Sequence, residues 1–172
     1  MNIWIRRLFI ITSIGGGFLG LAANLAQLFQ SGHAFSFYFL VTCASGVYVY
    51  GMFAGLKFVE NEALGMDLLS WYSFAQIPTL TSPVLGYLFI SGFSVWFSAG
   101  NNGFHFNYYL GSSWTFSFLN IQEDTVSLGV NFFALWTTWY LRKKLGESRA
   151  KQSPDPAPAP GMPPAGQESR HG

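Results

Sequence analysis

The amino-acid sequence predicts an all-α integral membrane protein with four transmembrane helices, both termini cytoplasmic, an external aromatic loop and a disordered tail. Of the 172 residues, 50% are hydrophobic and 10% are charged, whereas a typical soluble domain is about 25% charged. Residues 8–56, 68–122 and 125–141 contain no Asp, Glu, Lys or Arg. A water-soluble globule does not fit this distribution of charge.

The first two predicted spans are residues 8–29 and 35–58. The hydrocarbon core of a bilayer is crossed by about 20 apolar residues of helix, and both segments reach that length. A cleaved signal peptide also begins with basic residues such as Arg6 and Arg7. Because the apolar run is long for a signal peptide, we expect an uncleaved helix. Residues 30–34 are a short connection and predict an antiparallel helical hairpin.

The third and fourth predicted spans are residues 80–97 and 125–141. Residues 68–77 are apolar but too short to cross a bilayer, and two interpretations stay open for them. In the first interpretation, residues 68–77 form an interfacial helix, and Pro78 and Pro83 lie near the first turn of the third span, where proline costs little. Alternatively, they are half of a broken third helix whose free backbone groups line a site, as in transporters.

The orientation of the spans follows from the placement of lysine and arginine. The predicted topology places no basic residue on the side that holds residues 30–34 and the loop 98–124. The positive-inside rule therefore predicts that both termini are cytoplasmic, and we expect a multi-pass protein of a bacterial inner membrane. The opposite, cytoplasmic side receives eight cations near the spans: Arg6, Arg7, Lys57, Arg142, Lys143, Lys144, Arg149 and Lys151.

Two regions follow from these patterns, a membrane domain of residues 1–145 and a tail of residues 146–172. The tail holds six of the eight prolines and no aromatic residue. Such a segment cannot bury enough apolar surface to offset the entropy lost on ordering, so we expect it to be disordered.

Small and polar residues lie on one face of the first span, at spacings of three and four. Between membrane helices, small residues allow close contact and polar residues hydrogen-bond across the interface. The stripe is therefore expected to pack helices within the bundle, and a dimerisation face is the alternative. Its members are Ser13, Gly16, Gly17, Gly20, Asn24 and Gln27, and the second span adds Gly51 and Gly55.

Asn24, Gln27 and Asn131 are the most polar side chains within the predicted spans. Asn24 and Asn131 fall at depths within about one helical turn of each other. Because an unpaired amide in hydrocarbon is costly, we expect these two to hydrogen-bond and to join the first and fourth helices.

The external loop carries two alternating segments, residues 104–108 and 114–118. Residues 111–113, Gly-Ser-Ser, are typical of a turn. The pattern predicts a β-hairpin whose aromatic face lies on the bundle or on the lipid headgroups, or contacts a partner. The face comprises Phe104, Phe106, Tyr108, Trp114, Phe116 and Phe118.

Several functional classes are disfavoured by the composition. The net charge of +1 provides no basic stripe for nucleic acid. Apart from Lys57 at the cytoplasmic end of the second span, no charge lies inside a span, as ion-coupled transporters generally need. The single cysteine, Cys43, excludes an internal disulfide. The sequence contains neither an HExxH nor a phosphate-binding glycine motif, so we predict no catalytic, metal or cofactor site.

The sequence is most consistent with a non-catalytic interaction or assembly subunit, whose partners are the bilayer and either another membrane protein or a second copy. One alternative is a carrier or pore for a neutral or apolar solute, lined by Ser13, Asn24, Gln27 and Asn131. A second is a membrane enzyme that uses His105 with Glu123 or Asp124 on the external side.

Overall fold

The computed structural model describes residues 1–29, 35–101, 103–118 and 126–152, except for the side chains of residues 118, 151 and 152. Within these segments, four helices and four strands follow one another in the order α1–α2–α3–β1–β2–β3–β4–α4. The predicted all-α fold is wrong, because the proposed third span and the first part of the fourth are strands. The elements are α1 Ile3–Leu28, α2 Phe35–Glu60, α3 Glu62–Phe74, β1 Pro78–Thr81, β2 Leu85–Gly100, β3 Gly103–Phe118, β4 Ser127–Asn131 and α4 Phe132–Gln152.

α1 and α2 form an antiparallel pair, in agreement with the predicted helical hairpin. The Asn2 side chain caps α1 by accepting a 2.9 Å hydrogen bond from the Trp4 backbone. The Arg6 guanidinium donates to the Val59 carbonyl oxygen at 3.2 Å, so the start of α1 lies beside the end of α2. Both helices have 26 residues and are long and apolar enough to cross a membrane. Among the described residues, they are the two helices that meet this criterion.

A π-helical turn, Ile11–Gly15, interrupts α1. The hydroxyl of Thr12 donates to the Leu8 carbonyl at 2.9 Å, and that of Ser13 to the Phe9 carbonyl at 2.7 Å. These bonds supply local acceptors for two polar side chains within an apolar helix. The next residue, Gly16, contacts the sheet.

α3 and α4 pack against the hairpin at its charged end. α3 begins at Glu62, where the Asn61 side chain accepts a 3.1 Å hydrogen bond from the Leu64 backbone. Residues 68–74 are thus the end of this helix, and both interpretations of residues 68–77 are wrong about the third helical span, because Leu85–Gly100 is a strand. All four helices contribute to one apolar core, formed by Phe9, Ala54, Phe58, Met66, Leu69, Leu141 and Leu145.

The strands form one antiparallel sheet in the order β1–β4–β2–β3. β2 and β3 pair along their entire length, from Leu85 with Phe118 to Gly100 with Gly103. The sheet curls because β1 pairs both with β4 and with the start of β2, at Leu80 and Tyr87. β4 pairs with the last residues of β2.

The predicted hairpin within residues 104–118 is wrong, because these residues form one continuous strand. The chain reverses instead between Gly100 and Gly103, and the partner strand is residues 85–100. Gly111, assigned to a turn, lies opposite Gly92 inside the sheet. Both have positive φ, +140° and +82°, so both strands bend at the same point.

The predicted boundary between the membrane domain and the tail, at residue 145, lies within α4. This helix continues to Gln152, and residues 153–172 lie outside the described residues. Residues 30–34 and 119–125, which include Glu123 and Asp124, are likewise outside them. The described part of the molecule is therefore a four-helix unit with a curled sheet inserted between its third and fourth helices.

Candidate contact surface and polar core

One face of the sheet is apolar and exposed beyond the bend at Gly92 and Gly111. Paired residues of an antiparallel sheet share a face, and successive pairs alternate between faces. The register therefore places side chains from β3, β2 and β4 on a common surface. We call this surface the apolar face: Phe97, Phe104, Phe106, Tyr108, Leu110, Leu128 and Val130.

The apolar face is left largely uncovered by the rest of the described chain. Phe104, Tyr108 and Leu110 are 77%, 79% and 80% exposed. Phe97 stacks on Phe104, with ring centroids 5.6 Å apart and planes inclined by 19°. Isolated exposed apolar residues are ordinary, but a contiguous patch of this kind typically contacts a partner or a membrane.

The edge of the sheet beside this face is also open. Among the described strands, β3 pairs only with β2. Every residue from Gly103 to Leu110 is exposed. β3 contains no Pro, Asp, Glu, Lys or Arg, the residues with which natural proteins commonly protect exposed edges.

The six aromatic residues predicted to form one face divide between two environments. Phe104, Phe106 and Tyr108 belong to the apolar face. Trp114 is half-buried against α1, and Phe116, 43% exposed, lies in the same half of β3. The side chain of Phe118 lies outside the described residues. The bend at Gly111 separates the two groups.

The small-residue stripe of α1 contacts both α2 and the sheet. A methyl group at Gly16 would overlap the Gly92 backbone nitrogen, and one at Gly20 would overlap the Tyr48 ring. At Gly17, it would lie 2.8 Å from the Tyr48 carbonyl oxygen. Within this chain, these glycines therefore allow both strand β2 and helix α2 to approach α1 closely.

Ser13 and the second glycine pair also lie at interfaces inside the molecule. A methyl group at Gly55 would lie 2.5 Å from the Ser13 hydroxyl oxygen, and one at Gly51 would overlap the Tyr72 ring. Ser13 is 4% exposed. Gly51 thus leaves space for the Tyr72 ring of α3, whereas Gly55 contacts α1.

The predicted hydrogen bond between Asn24 and Asn131 is not formed: Asn24 bonds to other residues, and the Asn131 side-chain nitrogen has no hydrogen-bond partner among the described residues. Asn24 donates to the Ser45 hydroxyl at 3.0 Å and accepts from the Trp114 indole nitrogen at 2.6 Å. Asn24 therefore joins α1 to α2 and β3. Gln27, the third predicted amide, is half-buried.

Asn131 ends β4 and caps α4. Its side-chain oxygen accepts from the backbone nitrogens of Ala134 and Val95, each at 3.3 Å. Of the proposed solute-lining set, Asn131 thus lies at a strand–helix junction and Asn24 at a helix–sheet contact. An asparagine just before an apolar helix is an N-cap signal in the sequence, hidden here inside a continuous apolar run.

A mostly apolar groove of about 290 Å³ lies between α2 and the first half of the β2–β3 pair. Cys43 is exposed at this groove, beside Leu40 and Val47 of α2. Trp114 and Phe116 form part of the opposite wall. This groove was not predicted from the sequence, because residues 80–97 have the hydropathy of a separate membrane helix.

A buried polar cluster was also missed. Gln76, 5% exposed, accepts a 3.0 Å hydrogen bond from the Ser91 backbone, and Tyr87 donates to the Ala75 carbonyl at 2.7 Å. Burial raises the pKa of the Tyr87 phenol. These bonds fix β2 to the end of α3, at a point that no local sequence pattern connects.

The residues of the alternative enzyme site are only partly within the described segments. His105 is exposed on β3, while its predicted carboxylate partners lie outside the described segments. Within residues 1–29, 35–101, 103–118 and 126–152, no three His, Cys, Asp or Glu side chains are grouped so as to bind a metal ion.

Comparisons with protein families, with curated protein sequences and with solved structures found no match to this chain. Its function is therefore argued from its own residues.

Proposed function

We propose that this chain is a non-catalytic membrane protein that self-assembles through the free edge of β3 and the apolar face. Its membrane anchor is the α1–α2 hairpin. The observation that carries the proposal is the uncovered apolar face beside an edge strand that lacks charge and proline.

The anchor is supported by the exposure of the two long helices. Only 33% and 28% of their most apolar stretches are buried inside the protein, whereas a core helix of a soluble protein is mostly buried. Phe18 and Phe39 are each 62% exposed. Contact with hydrocarbon accounts for apolar side chains that face away from the protein.

A second copy of the chain is the partner that best fits the edge. Antiparallel pairing of β3 with itself makes the interface isologous, so one surface serves both subunits. The exposed segment between Gly103 and Gly111 is centred on Asn107. Pairing about that residue places Phe106 opposite Tyr108 and Phe104 opposite Leu110, so the apolar face continues across both subunits.

The physical drive for this pairing is the unpaired backbone of the edge. An N–H or C=O group in contact with hydrocarbon costs several kcal/mol when it has no partner. A second β3 strand would satisfy these groups and would bury apolar side chains in the same step. No charged side chain on β3 opposes the approach.

The proposal is tested by disulfide crosslinking in membranes, using Asn107→Cys in a Cys43→Ala background. Pairing centred on Asn107 brings the two Cα atoms to about 5 Å, within the range for a disulfide. We therefore expect mild oxidation to give a covalent dimer. Thr115→Cys is the matched control, because it is exposed on the same strand but would lie about 50 Å from its counterpart.

Light scattering in mild detergent gives the second measurement. A homodimer is expected for the unmodified chain. A monomer that shows no Asn107→Cys crosslink would contradict self-assembly. Stoichiometric co-purification with a different protein, together with absence of the crosslink, would replace the second copy with a heterologous partner.

A further inference from the structure

A small cavity lies where α1, α3, β2 and α4 meet. The volume that the centre of a water molecule can occupy inside it is about 20 Å³. Tyr72 of α3, Ser91 of β2 and Thr137 of α4 contribute hydroxyl groups to its wall, and the π-helical turn of α1 closes another side. The cavity thus joins the helical unit to the sheet.

Three of the hydroxyls have no hydrogen-bond partner in the structure: those of Tyr72, Ser91 and Thr137. These residues are 3%, 4% and 5% exposed. A buried hydroxyl without a partner is destabilising. Three other polar side chains at the cavity already form hydrogen bonds: Thr12 and Ser13 donate to α1 carbonyls, and the Gln76 side-chain oxygen accepts from the Ser91 backbone.

The Tyr72 and Ser91 hydroxyls are close neighbours. Burial raises the pKa of the Tyr72 phenol, and the Ser91 hydroxyl lowers it by a smaller amount. Even a direct bond between these two groups would leave the Thr137 hydroxyl without a partner. An additional group is therefore required to satisfy all three.

We propose that this cavity binds one water molecule, which hydrogen-bonds to the hydroxyls of Tyr72, Ser91 and Thr137. A buried water typically has two to four polar partners and needs roughly 10–15 Å³ of such space. No Asp, Glu, Lys, Arg or His lines the cavity. A neutral ligand is thus favoured over an ion, since an ion would be buried without a counter-charge.

The water links Thr137 of α4 to Ser91 of β2 and Tyr72 of α3. It therefore contributes to the position of α4 against the sheet, independently of the proposed self-assembly. Removing two of its three partners should release it.

The test is NMR detection of a long-lived water at the methyl group of Thr137, in the full chain in detergent. A nuclear Overhauser effect from water to this methyl group is expected for the unmodified protein. The signal should be lost in the double variant Ser91→Ala with Thr137→Val, followed at the Ala134 methyl group, which also faces the cavity. Thr138→Val is the matched control and should keep it, because the Thr138 hydroxyl is already bonded to the Ala134 carbonyl at 2.9 Å.

A second measurement uses thermal unfolding of Ser91→Ala, Thr137→Val and their combination. If one water serves both hydroxyls, the decrease in Tm of the double variant will be smaller than the sum of the single decreases. Ser91→Ala combined with Thr138→Val should be additive.

Absence of the water signal from the folded, unmodified protein, with additive losses in both pairs, would overturn the proposal. A Tm that rises with sodium chloride but not with choline chloride would also overturn it, because the cavity would then bind a cation.

Discussion

Gly16 is the residue at which α1 contacts the sheet most closely, and its substitution tests that contact. We expect Gly16→Ala to destabilise the protein by about 1–3 kcal/mol, because the added methyl group overlaps the backbone at Gly92. Gly15→Ala is the control: nothing lies within 4 Å of a methyl group there, and alanine favours a helix by about 1 kcal/mol. Thermal unfolding in detergent should separate the two variants, and equal stability would contradict the close contact.

The Asn24–Trp114 hydrogen bond connects α1 to β3 and gives a second prediction at the residue scale. Trp114→Phe should cost about 0.5–1.5 kcal/mol, because it removes the indole donor. When Trp114→Phe is combined with Asn24→Ala, the loss of unfolding free energy should be smaller than the sum of the two single losses.

The control for this cycle is Asn24→Ala combined with Asn131→Ala, which should be additive because the two amides have separate partners. Strong coupling between Asn24 and Asn131 would restore the contact expected from the sequence and contradict the structure.

At the scale of secondary-structure elements, Asn131 determines where β4 ends and α4 begins. Asn131→Ala should destabilise the protein by about 1–2 kcal/mol, because both the Ala134 and Val95 N–H groups lose an acceptor. Asn131→Ser should have an intermediate effect, since serine can cap the helix but is shorter. Circular dichroism during thermal unfolding measures both variants. An Asn131→Ala variant as stable as the unmodified protein would contradict the capping role.

The helical hairpin could be predicted from the sequence because its evidence is local: two long apolar runs separated by a short connection. The strands could not be assigned in the same way. A run such as residues 80–97 has the hydropathy of a membrane helix, and periodicity alone does not distinguish a buried strand from a helix. Its β-branched and aromatic residues, with Gly86 and Gly92, favour a strand.

The site was predictable only in part, for a related reason. The alternation of Phe104, Phe106 and Tyr108 correctly indicated extended backbone, but it could not identify the strand with which they pair. That partner is an equally long segment upstream. Likewise, Tyr72, Ser91 and Thr137 are far apart in the chain, so no spacing rule brings them into one cavity.

At the scale of the whole molecule, the described charges lie at one end of the hairpin. Arg6 bonds to the end of α2, while Glu62 and Lys144 line a common surface depression near Met1. Lys144 forms a 2.7 Å ion pair with Glu147, which raises the pKa of the lysine. The opposite end of the hairpin, at Phe29 and Phe35, has no charged residue nearby in sequence.

This asymmetry predicts the topology of the proposed anchor. In a Cys43→Ala background, cysteines at Asn61 and Ser148 should be labelled from one side of the membrane, and a cysteine at Phe29 from the other. A membrane-impermeant maleimide applied to sealed, oriented vesicles measures this, and the positive-inside rule places Asn61 and Ser148 on the cytoplasmic side. Labelling of all three positions from the same side would contradict a transmembrane hairpin.

The opposed glycines of β2 and β3 carry a consequence for how this sequence can diverge. Gly92 and Gly111 bend paired strands at the same point, and Gly92 also lies against the Thr12 backbone. A side chain at Gly92 would meet a strained backbone and a filled space, while straightening one strand alone would break its register with the other. Lineages descending from this chain should therefore keep both glycines or lose both together, with Gly16 changing in step.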